Sequence, residues 1–267
     1  MSDIKLPYGL QDGDLVHISD VPSGLKCNCV CPGCSAALVA RKGSKTQHHF
    51  AHHSSATCES ATETALHLAA KEILSTQKEI VLPAVCVEFN ANRRPMELSP
   101  ERKFQIDSVQ LETRTGDIVP DLIATIGTKQ LLIEIFVTHR VDLHKIDKIR
   151  RLGISAVEVD LSNAPRDLSI ASIEELVVSS HLNKRWLFNT VVQSKRAELQ
   201  RSSVQKPIVH RGLAIHVDSC PVNARVWRGK PYANVIDDCS HCGHCIEMSD
   251  NQDYIRCIGH QASQTGT

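Results

Sequence analysis

The sequence predicts a mixed α/β protein with a central domain between two metal-binding modules. Three observations lead to this fold class. Ten of the 11 Cys of the 267-residue chain fall into two groups towards its ends, and the chain also contains 14 His. The middle of the chain alternates segments of helical periodicity with apolar runs of strand length. These segments follow the order helix, strand, strand, strand, helix, strand, which is an α-β-β-β-α-β core.

The division into domains follows these changes in composition. A Cys/His-rich, zinc-binding module is predicted over 1–58, and the α/β core over 59–165. A helical, basic extension and linker follow over 166–212, where positive charges are frequent and the last ten residues are polar. A second Cys-rich zinc-binding module is predicted over 213–267. About fifty residues bury little core, so metal would be the main source of stability of this module.

Composition limits how the protein could bind nucleic acid and where in the cell we expect it. Lys plus Arg is 30 and Asp plus Glu is 30, so any basic surface for nucleic acid must be local. Aromatic residues make up only 4%, which argues against a single-strand stacking platform as the main binding mode. The sequence has no signal-peptide pattern and no run that could span a bilayer, so we expect a cytoplasmic protein without a membrane partner. Cysteines in that compartment favour metal binding over disulfides.

Periodicity and turn residues predict the elements of the core and their limits. Ser60 and Glu63 match a helix capping box, while Asp142 and Gly153 begin and end a second helix. Glu158 alternates with apolar residues on the last strand, which predicts a half-exposed strand. The core elements are helix 60–78, strands 103–112, 117–126 and 130–138, helix 142–152 and strand 154–161. The flanking elements are strands 15–18 and 80–87, a hairpin over 37–51, a loop over 90–100, helices 170–180 and 182–200, and a linker over 202–212.

Two apolar strands of the core each carry one carboxylate. Asp121 interrupts the run from Ile118 to Ala124, and Glu134 interrupts the run from Leu131 to Val137. A carboxylate among strand-core residues is costly to bury unless a partner or a metal compensates it. Two carboxylates on neighbouring strands can share a hard cation such as Mg²⁺, which points to metal-assisted phosphodiester chemistry. Pairing with Lys or Arg across the sheet is the alternative.

The N-terminal module contains the first candidate zinc site. Cys31 and Cys34 form a tight knuckle, and His49 and His52 supply two imidazoles with the same separation. Two pairs of such ligands suit tetrahedral Zn²⁺ in a closed structural site. Other residues nearby could substitute as ligands: Cys29, His48, His53 and Cys58.

The C-terminal module contains the second candidate zinc site. Cys239 and Cys242 form another knuckle, which Cys220 upstream and Cys257 downstream could complete as a four-cysteine site. Three neighbours compete with these ligands: His241, His244 and Cys245. Stability alone would explain such a module, although small zinc modules also contact nucleic acid or protein.

The order of the core elements resembles the restriction-endonuclease-like, or PD-(D/E)XK, nucleases. Pro120-Asp121 lies on the second strand and Glu134-Ile135 on the third, where that motif is found. The preceding elements sharpen the resemblance. The Cys-x-x-Cys knuckle is followed by His-Phe-Ala-His and then by a helix that carries Glu63, His67 and Lys71. This arrangement resembles the competence protein CoiA-like nuclease family, over residues 27–160.

The resemblance implies a metal-dependent endo- or exonuclease that hydrolyses phosphodiester bonds in nucleic acid, with DNA favoured over RNA. Asp121, Glu134 and the carbonyl of Ile135 would hold Mg²⁺ or Mn²⁺, with help from Glu63. The motif lysine is replaced by Phe136, which cannot orient a water. Lys145 on the following helix would take its place as a catalytic residue, and Lys71 is a second candidate.

Each of these residues also has a simpler interpretation. Glu63 is favoured near a helix start by capping alone, His67 could only pack, and Lys145 could be solvated. Phe136 favours a catalytically inactive, zinc-stabilised protein that binds nucleic acid, and a protein-interaction module is a third hypothesis. A basic stretch over 181–211 could contact phosphates. Its charges come from Lys184, Arg185, Lys195, Arg196, Arg201, Lys206 and Arg211.

Overall fold

The computed structural model describes residues 6–45, 47–54, 58, 60–89, 95–164 and 169–264. The chain divides into two compact units. The first unit comprises the chain up to Pro83 together with Glu101–Asn189, and the second comprises Ala84–Pro100 together with the chain from Thr190 onward. The N-terminal Cys/His-rich segment and the predicted core thus share one unit. The segment 84–100, by contrast, folds with the C-terminal part of the chain.

The chain contains four α-helices and twenty strands within the described residues. The helices are α1 (Ala61–Gln77), α2 (Leu143–Leu152), α3 (Ile170–Glu174) and α4 (Thr190–Ser202). The first ten strands are β1 (Tyr8–Gln11), β2 (Asp14–His17), β3 (Leu38–Arg41), β4 (His49–His52), β5 (Glu79–Leu82), β6 (Val85–Val87), β7 (Met96–Ser99), β8 (Arg102–Gln105), β9 (Ser108–Leu111) and β10 (Leu122–Ile126). The other ten are β11 (Lys129–Phe136), β12 (Ser155–Asp160), β13 (Lys184–Phe188), β14 (Val204–Pro207), β15 (Val209–Arg211), β16 (Ala214–Asp218), β17 (Arg225–Trp227), β18 (Lys230–Asn234), β19 (Cys245–Met248) and β20 (Tyr254–Cys257).

A five-stranded sheet forms the centre of the first unit, in the order β13-β12-β11-β10-β9. Strands β9, β10 and β11 form an antiparallel meander, and α2 connects β11 to β12, which runs parallel to it. Alternate residues of β10 and β11 pack on opposite sides, as strand geometry requires. Leu122 and Ile133 join the cluster that contains α1, while Ile123 and Leu132 join the cluster that contains α2.

The two helices beside this sheet begin in different ways. Asp142 caps α2 as predicted, because its carboxylate accepts a hydrogen bond from the backbone N–H of Lys145, and Gly153 ends the helix with a φ of 67°. The capping box predicted for α1 is wrong. Ser60 makes no side-chain cap, because its backbone is already helical and its hydroxyl lies 3.7 Å from the thiol of Cys58.

Several predicted strands are present but divided. Pro83 separates β5 from β6 within the predicted strand 80–87, because proline has no N–H to donate to a ladder. The predicted strand 103–112 is divided into β8, which pairs with β5, and β9, which pairs with β10. Pro120 and Asp121 come before β10, so this strand begins at Leu122. The loop predicted over 90–100 contains β7, and residues 90–94 of that loop lie outside the described part.

The prediction of one helix over 182–200 is wrong. Residues Lys184–Phe188 form β13, which pairs with β12, and α4 begins only at Thr190. The apolar residues Trp186, Leu187 and Phe188 therefore complete the central sheet. The linker predicted over 202–212 is also wrong, since β14 and β15 occupy most of it. Its polar composition reflects short strands that each lie at the edge of a sheet.

Two sheets organise the C-terminal part of the second unit. The three-stranded sheet has the order β14-β20-β19, and the four-stranded sheet has the order β15-β16-β18-β17. Val217, Ala233 and Ile255 are buried together with cysteines in the core of this part. Among the described residues, no helix combines the length and the apolar character that crossing a membrane requires.

Candidate functional site

The carboxylate of Asp121 is held by groups from two elements of the first unit. The backbone N–H of Ile135 donates a hydrogen bond of 2.8 Å to its Oδ2. The ammonium of Lys71 lies 3.0 Å from Oδ1, and Nδ1 of His67 lies 3.7 Å from the same oxygen. Lys71 and His67 reach Asp121 together because residues four apart share one face of α1.

The two α1 residues differ in charge. Burial lowers the pKa of the Lys71 ammonium, but its contacts with Glu112 and Asp121 outweigh this effect and leave the pKa raised. Lys71 therefore stays charged, with Glu112 Oε1 2.9 Å from its Nζ. Burial also lowers the pKa of His67, and here Asp121 does not compensate. The imidazole is consequently neutral at pH 7, so its contact with Asp121 is a polar contact and not an ion pair.

Glu134 is the more buried carboxylate of the predicted pair. Its Oε2 accepts a hydrogen bond of 2.8 Å from Nζ of Lys145. Its Oε1 is buried and has no hydrogen-bond partner among the described residues. Burial raises the pKa of Glu134 to about 7, and the negative charges of Asp121 and Glu158 also raise it. The positive charge of Lys145 lowers the pKa but does not outweigh these effects. Glu134 therefore titrates near neutral pH.

The strand register places the two predicted carboxylates at the same end of neighbouring strands. Leu122 pairs with Ile133 at the end of the β10–β11 ladder. Asp121 therefore lies just before the first residue of β10, and Glu134 is the next residue of β11 beyond the paired segment. The bond from Ile135 to Asp121 joins the same two segments. Each carboxylate also pairs with a lysine, as the alternative interpretation of these residues expected. Asp121 and Glu134 thus lie at the same end of neighbouring strands, Asp121 beside a lysine of α1 and Glu134 beside a lysine of α2, and these helices pack against opposite sides of the sheet.

Lys145, the predicted substitute for the motif lysine, forms an ion pair with Glu134. Its Nζ lies between Glu134 and the carbonyl of Val119, which accepts a hydrogen bond of 3.3 Å. Phe136, at the motif position itself, is buried, and the guanidinium of Arg140 lies 4.9 Å from its ring. Glu63 is placed differently, because its carboxylate accepts a hydrogen bond from Thr138. The described contacts of Glu63 therefore do not include Asp121 or Glu134.

Glu158 is a third carboxylate of this region, and the prediction of a half-exposed face for it is wrong. It is fully buried, because β12 lies between β11 and β13 in the sheet. Its Oε1 lies 2.7 Å from Nε of Arg185, and its Oε2 accepts a hydrogen bond of 3.2 Å from the backbone N–H of Val141. Glu158 is also the parallel-ladder neighbour of Glu134. Periodicity identified its strand but gave no signal for this burial.

A Cys/His cluster forms a candidate zinc centre in the N-terminal segment. One ligand atom from each of four residues lies within 4.8 Å of all the others, which suits tetrahedral Zn²⁺. A Cβ at Gly33 would lie 2.9 Å from the thiol of Cys58, so only glycine allows the knuckle to approach it. The cluster consists of Cys31, Cys34, His52 and Cys58.

The cluster corrects one predicted ligand, since Cys58 stands where His49 was expected. Both His49 and His52 lie on β4, and positions three apart on a strand point to opposite sides. His52 lies 3.4 Å from the thiol of Cys34, whereas Nδ1 of His49 contacts the carbonyl of Gln47. The two-residue spacing suggested a pair, as it forms in the turn of Cys31 and Cys34, but on an extended strand it directs the two imidazoles to opposite sides. Cys58 was among the alternatives that the sequence offered.

The C-terminal cysteines line a cavity of about 270 Å³. All four predicted ligands line it, and Cys245 joins them: Cys220, Cys239, Cys242, Cys245 and Cys257. Backbone N–H groups of His244 and Gly259 donate to the thiols of Cys242 and Cys257, over 3.4 and 3.3 Å. Among the described residues, the N-terminal cluster is the group whose ligand atoms all lie within 4.8 Å of one another. The five C-terminal thiols are spaced more widely.

Comparison with known proteins identifies part of the chain. Residues 23–61 match the family model described as "Competence protein CoiA, N-terminal domain". The match supports a CoiA-like resemblance over the segment that contains Cys31, Cys34, His52 and Cys58. Searches of curated proteins and of solved structures gave no match.

Proposed function

We propose that this protein is a metal-dependent nuclease that hydrolyses phosphodiester bonds in nucleic acid, with DNA favoured over RNA. The proposal is supported by the order α1, β9, β10, β11, α2, β12, with β5 to β8 between α1 and β9: a helix precedes a meander and a second helix leads to a parallel strand, as expected of a PD-(D/E)XK-like core. The CoiA-like N-terminal match is consistent with this interpretation. Activity itself rests on the site, because one fold carries many functions.

The observation that carries the proposal is the state of Glu134. A buried carboxylate oxygen without a partner is costly, and Oε1 of Glu134 is such an atom. A divalent cation fits there, because Mg²⁺ and Mn²⁺ take oxygen ligands and often bind through one or two carboxylates. Glu134 and Asp121 would hold the cation, with the Ile135 carbonyl as a predicted ligand. When bound, the cation would activate a water and neutralise charge on the scissile phosphate.

The neighbouring side chains have separate roles in this proposal. Lys145 keeps Glu134 ionised more readily than burial alone would allow, and its ammonium is placed to stabilise negative charge that develops on a phosphate. Lys71 neutralises Asp121 and fixes its orientation together with the N–H of Ile135. His67 is neutral and packs against the same carboxylate. Glu63 belongs to the proposal only as a more distant residue that contacts Thr138.

The zinc sites complete the proposal as structural elements. Cys31, Cys34, His52 and Cys58 supply four ligands and leave no open position, which is typical of a structural site. We assign a second structural zinc to the C-terminal cysteines, with ligands drawn from the five thiols of the cavity. Burial raises the pKa of the Cys239 thiol to about 12 and also raises the pKa of Cys257, so a metal bound by these two thiols would have to displace their protons.

A cleavage assay with matched variants tests the proposal. Purified protein is incubated with single-stranded and duplex DNA and with RNA, each with Mg²⁺ or Mn²⁺. The proposal expects cation-dependent cleavage that is lost in Asp121→Asn. The control is Asp147→Asn, because Asp147 is an exposed carboxylate on α2 whose described ion-pair partner is Arg150. Equal cleavage by wild type and Asp121→Asn would contradict the proposal.

Phe136 favours a second candidate function. Because a phenylalanine replaces the motif lysine, the same fold could bind nucleic acid or a protein without cleaving. Binding without cation-dependent cleavage in the assay above would support this alternative. The position of Lys145 argues for the nuclease, since its ammonium already contacts the carboxylate that the motif lysine would serve.

A further inference from the structure

The four-stranded sheet of the second unit presents one face of aromatic and charged side chains. Arg225 pairs with Tyr232, which pairs with Asp218, so these three residues lie on the same side of the sheet. Because side chains alternate along a strand, residues two positions away share that side. The face therefore contains Arg211, His216, Asp218, Trp227, Lys230 and Tyr232.

The opposite side of the same sheet is the core side. Val217 pairs with Ala233, and both are buried in the apolar cluster of this part of the chain. The two sides thus differ as in a sheet with one packed face and one solvent face. The side chains that the register assigns to the solvent face also line a cavity of about 820 Å³. The alternation of the strands, and not loop geometry, produces this surface.

The aromatic residues of this face are available to a ligand. Trp227 is 59% exposed, although it lies within β17. Tyr232 lies on the neighbouring strand, and its ring makes an edge contact with the imidazole of His216 at 5.4 Å. Trp227 pairs with Lys230, so Tyr232 is at the diagonal position, about 7–8 Å away. An exposed indole beside a phenol offers two flat surfaces on one side of the sheet.

The charges of this face favour an anion. Lys230 is exposed beside Trp227, and the guanidinium of Arg228 lies 4.7 Å from the indole ring. Arg211 pairs with Asp218 over 2.8 Å, and Asp218 is the acidic residue of the lining. Arg225, on the same face, pairs with Asp237 and Asp238. Lys230 and Arg228 have no acidic partner among the described ion pairs, so they leave positive charge on this face. The combination of flat rings with positive charge matches phosphates joined to bases.

We propose that this face binds single-stranded nucleic acid, with unpaired bases stacked on Trp227 and Tyr232 and phosphates contacting Lys230 and Arg228. The inference deepens the proposed nuclease function, on which it rests, by naming a substrate-binding surface in the second unit. Bases in a duplex already stack on one another, so the exposed rings have no base face to contact there. Low aromatic content pointed away from such a platform, but two of the few aromatic residues lie together here.

Tryptophan fluorescence tests the proposal on the full chain. A twenty-nucleotide oligo-dT strand is titrated without added Mg²⁺, and quenching of emission is followed. Trp227→Leu should abolish the quenching and weaken binding by about tenfold or more, as expected for the loss of one stacked base. Lys230→Glu should weaken binding and reduce its dependence on salt. Trp227 is exposed, so its replacement leaves the core intact.

Two control variants separate local from general effects. Val226→Ser changes the neighbouring residue, which is exposed on the other side of the sheet, and should bind like wild type. Trp186→Phe removes the second tryptophan, whose N–H donates to the Pro83 carbonyl in the first unit, and should keep the quenching. Binding by Trp227→Leu and Lys230→Glu equal to that of wild type would overturn the inference. Equally tight, equally quenched binding of a duplex would also overturn it.

The oligo-dT binding experiment and the cleavage assay test the two proposals separately. If wild type cleaves DNA but Trp227→Leu binds oligo-dT unchanged, the surface is wrong and the nuclease proposal stands. If oligo-dT binding depends on Trp227 but no cation supports cleavage, the surface is right and the nuclease proposal fails.

Discussion

Glu134 and Glu158 are neighbours on adjacent parallel strands, and both are buried, yet their surroundings differ. Glu158 has a partner for each oxygen, the guanidinium of Arg185 and the N–H of Val141. Glu134 has Lys145 at one oxygen and no described partner at the other. A buried carboxylate whose hydrogen bonds are complete is typical of a structural residue, whereas a buried carboxylate with an unpartnered oxygen and a raised pKa is typical of a functional site. The comparison separates a stabilising residue from a candidate catalytic one.

The largest expected effect is on catalysis. Glu134→Gln should reduce cation-dependent cleavage by at least about a hundredfold, because it removes an anionic oxygen from the proposed cation site. Glu158→Gln should leave the activity of the folded protein within about threefold of wild type. Initial rates at saturating Mg²⁺ measure both. Similar losses in the two variants would remove the distinction between the glutamates.

The second effect is on stability, where Glu158→Gln should cause the larger loss. Glu158→Gln should lower the free energy of unfolding by about 2–3 kcal/mol, less than for a fully buried pair because Arg185 is partly exposed. Glu134→Gln should not destabilise the protein at pH 8. Urea unfolding at pH 8 measures both variants. A larger loss for Glu134→Gln than for Glu158→Gln would contradict the comparison.

The pH dependence of stability sharpens the same contrast. The pKa of Glu134 rises from 4.5 to about 7 on folding, so the folded state favours the protonated form. Ionisation therefore lowers stability as pH rises from about 4.5 to 7, by up to about 3 kcal/mol. Glu134→Gln lacks this loss and should be more stable than wild type at pH 8 but similar at pH 5. Urea unfolding at the two pH values measures the difference, and a constant difference would show that Glu134 does not titrate near neutral pH.

The smallest of the catalytic effects concerns the position of the pH profile. The charge of Lys145 lowers the pKa of Glu134, so Lys145→Met should raise that pKa. The rise of cleavage rate with pH should move upward by about one unit, together with a lower maximal rate. Lys148→Met, on the same helix, is the control. Identical profiles for Lys145→Met and wild type would remove Lys145 from the site.

The last prediction concerns the zinc cluster and tests which residues are its ligands. Cys58→Ser should lower bound zinc by about one equivalent per chain, because the cluster loses one of four ligands. His49→Gln should keep that zinc, since His49 points to the other side of β4. Elemental analysis measures the zinc content of each variant. Full zinc in Cys58→Ser and loss in His49→Gln would reverse the ligand assignment.

Much of this architecture follows from local signals in the sequence. Asp142 and Gly153 gave the limits of α2, and the spacing of Cys31 and Cys34 gave half of a metal cluster. Lys145 was predicted as a substitute because the nuclease resemblance allows a lysine on the helix after the strand of Glu134 to replace the motif lysine. Each of these features depends on residues close together in the chain, where capping and turn geometry decide the outcome.

The remaining features depend on distant contacts. Cys58 joins the cluster only because Gly33 allows the approach of another segment, and strand geometry excludes His49. The burial of Glu158 requires β13, which periodicity assigned to a helix. Strand preference depends on the neighbours that a strand acquires, so a short apolar run alone does not decide it. The aromatic and charged face of the four-stranded sheet likewise required the register of four strands.

Calorimetric titration with Mn²⁺ at pH 8 tests the central claim most directly, on zinc-loaded wild type, Glu134→Gln and Glu158→Gln. The claim predicts binding to wild type and to Glu158→Gln, and none to Glu134→Gln, because Glu134 is the carboxylate with a buried, unpartnered oxygen among the described residues. Binding to Glu134→Gln with the affinity of wild type would contradict it.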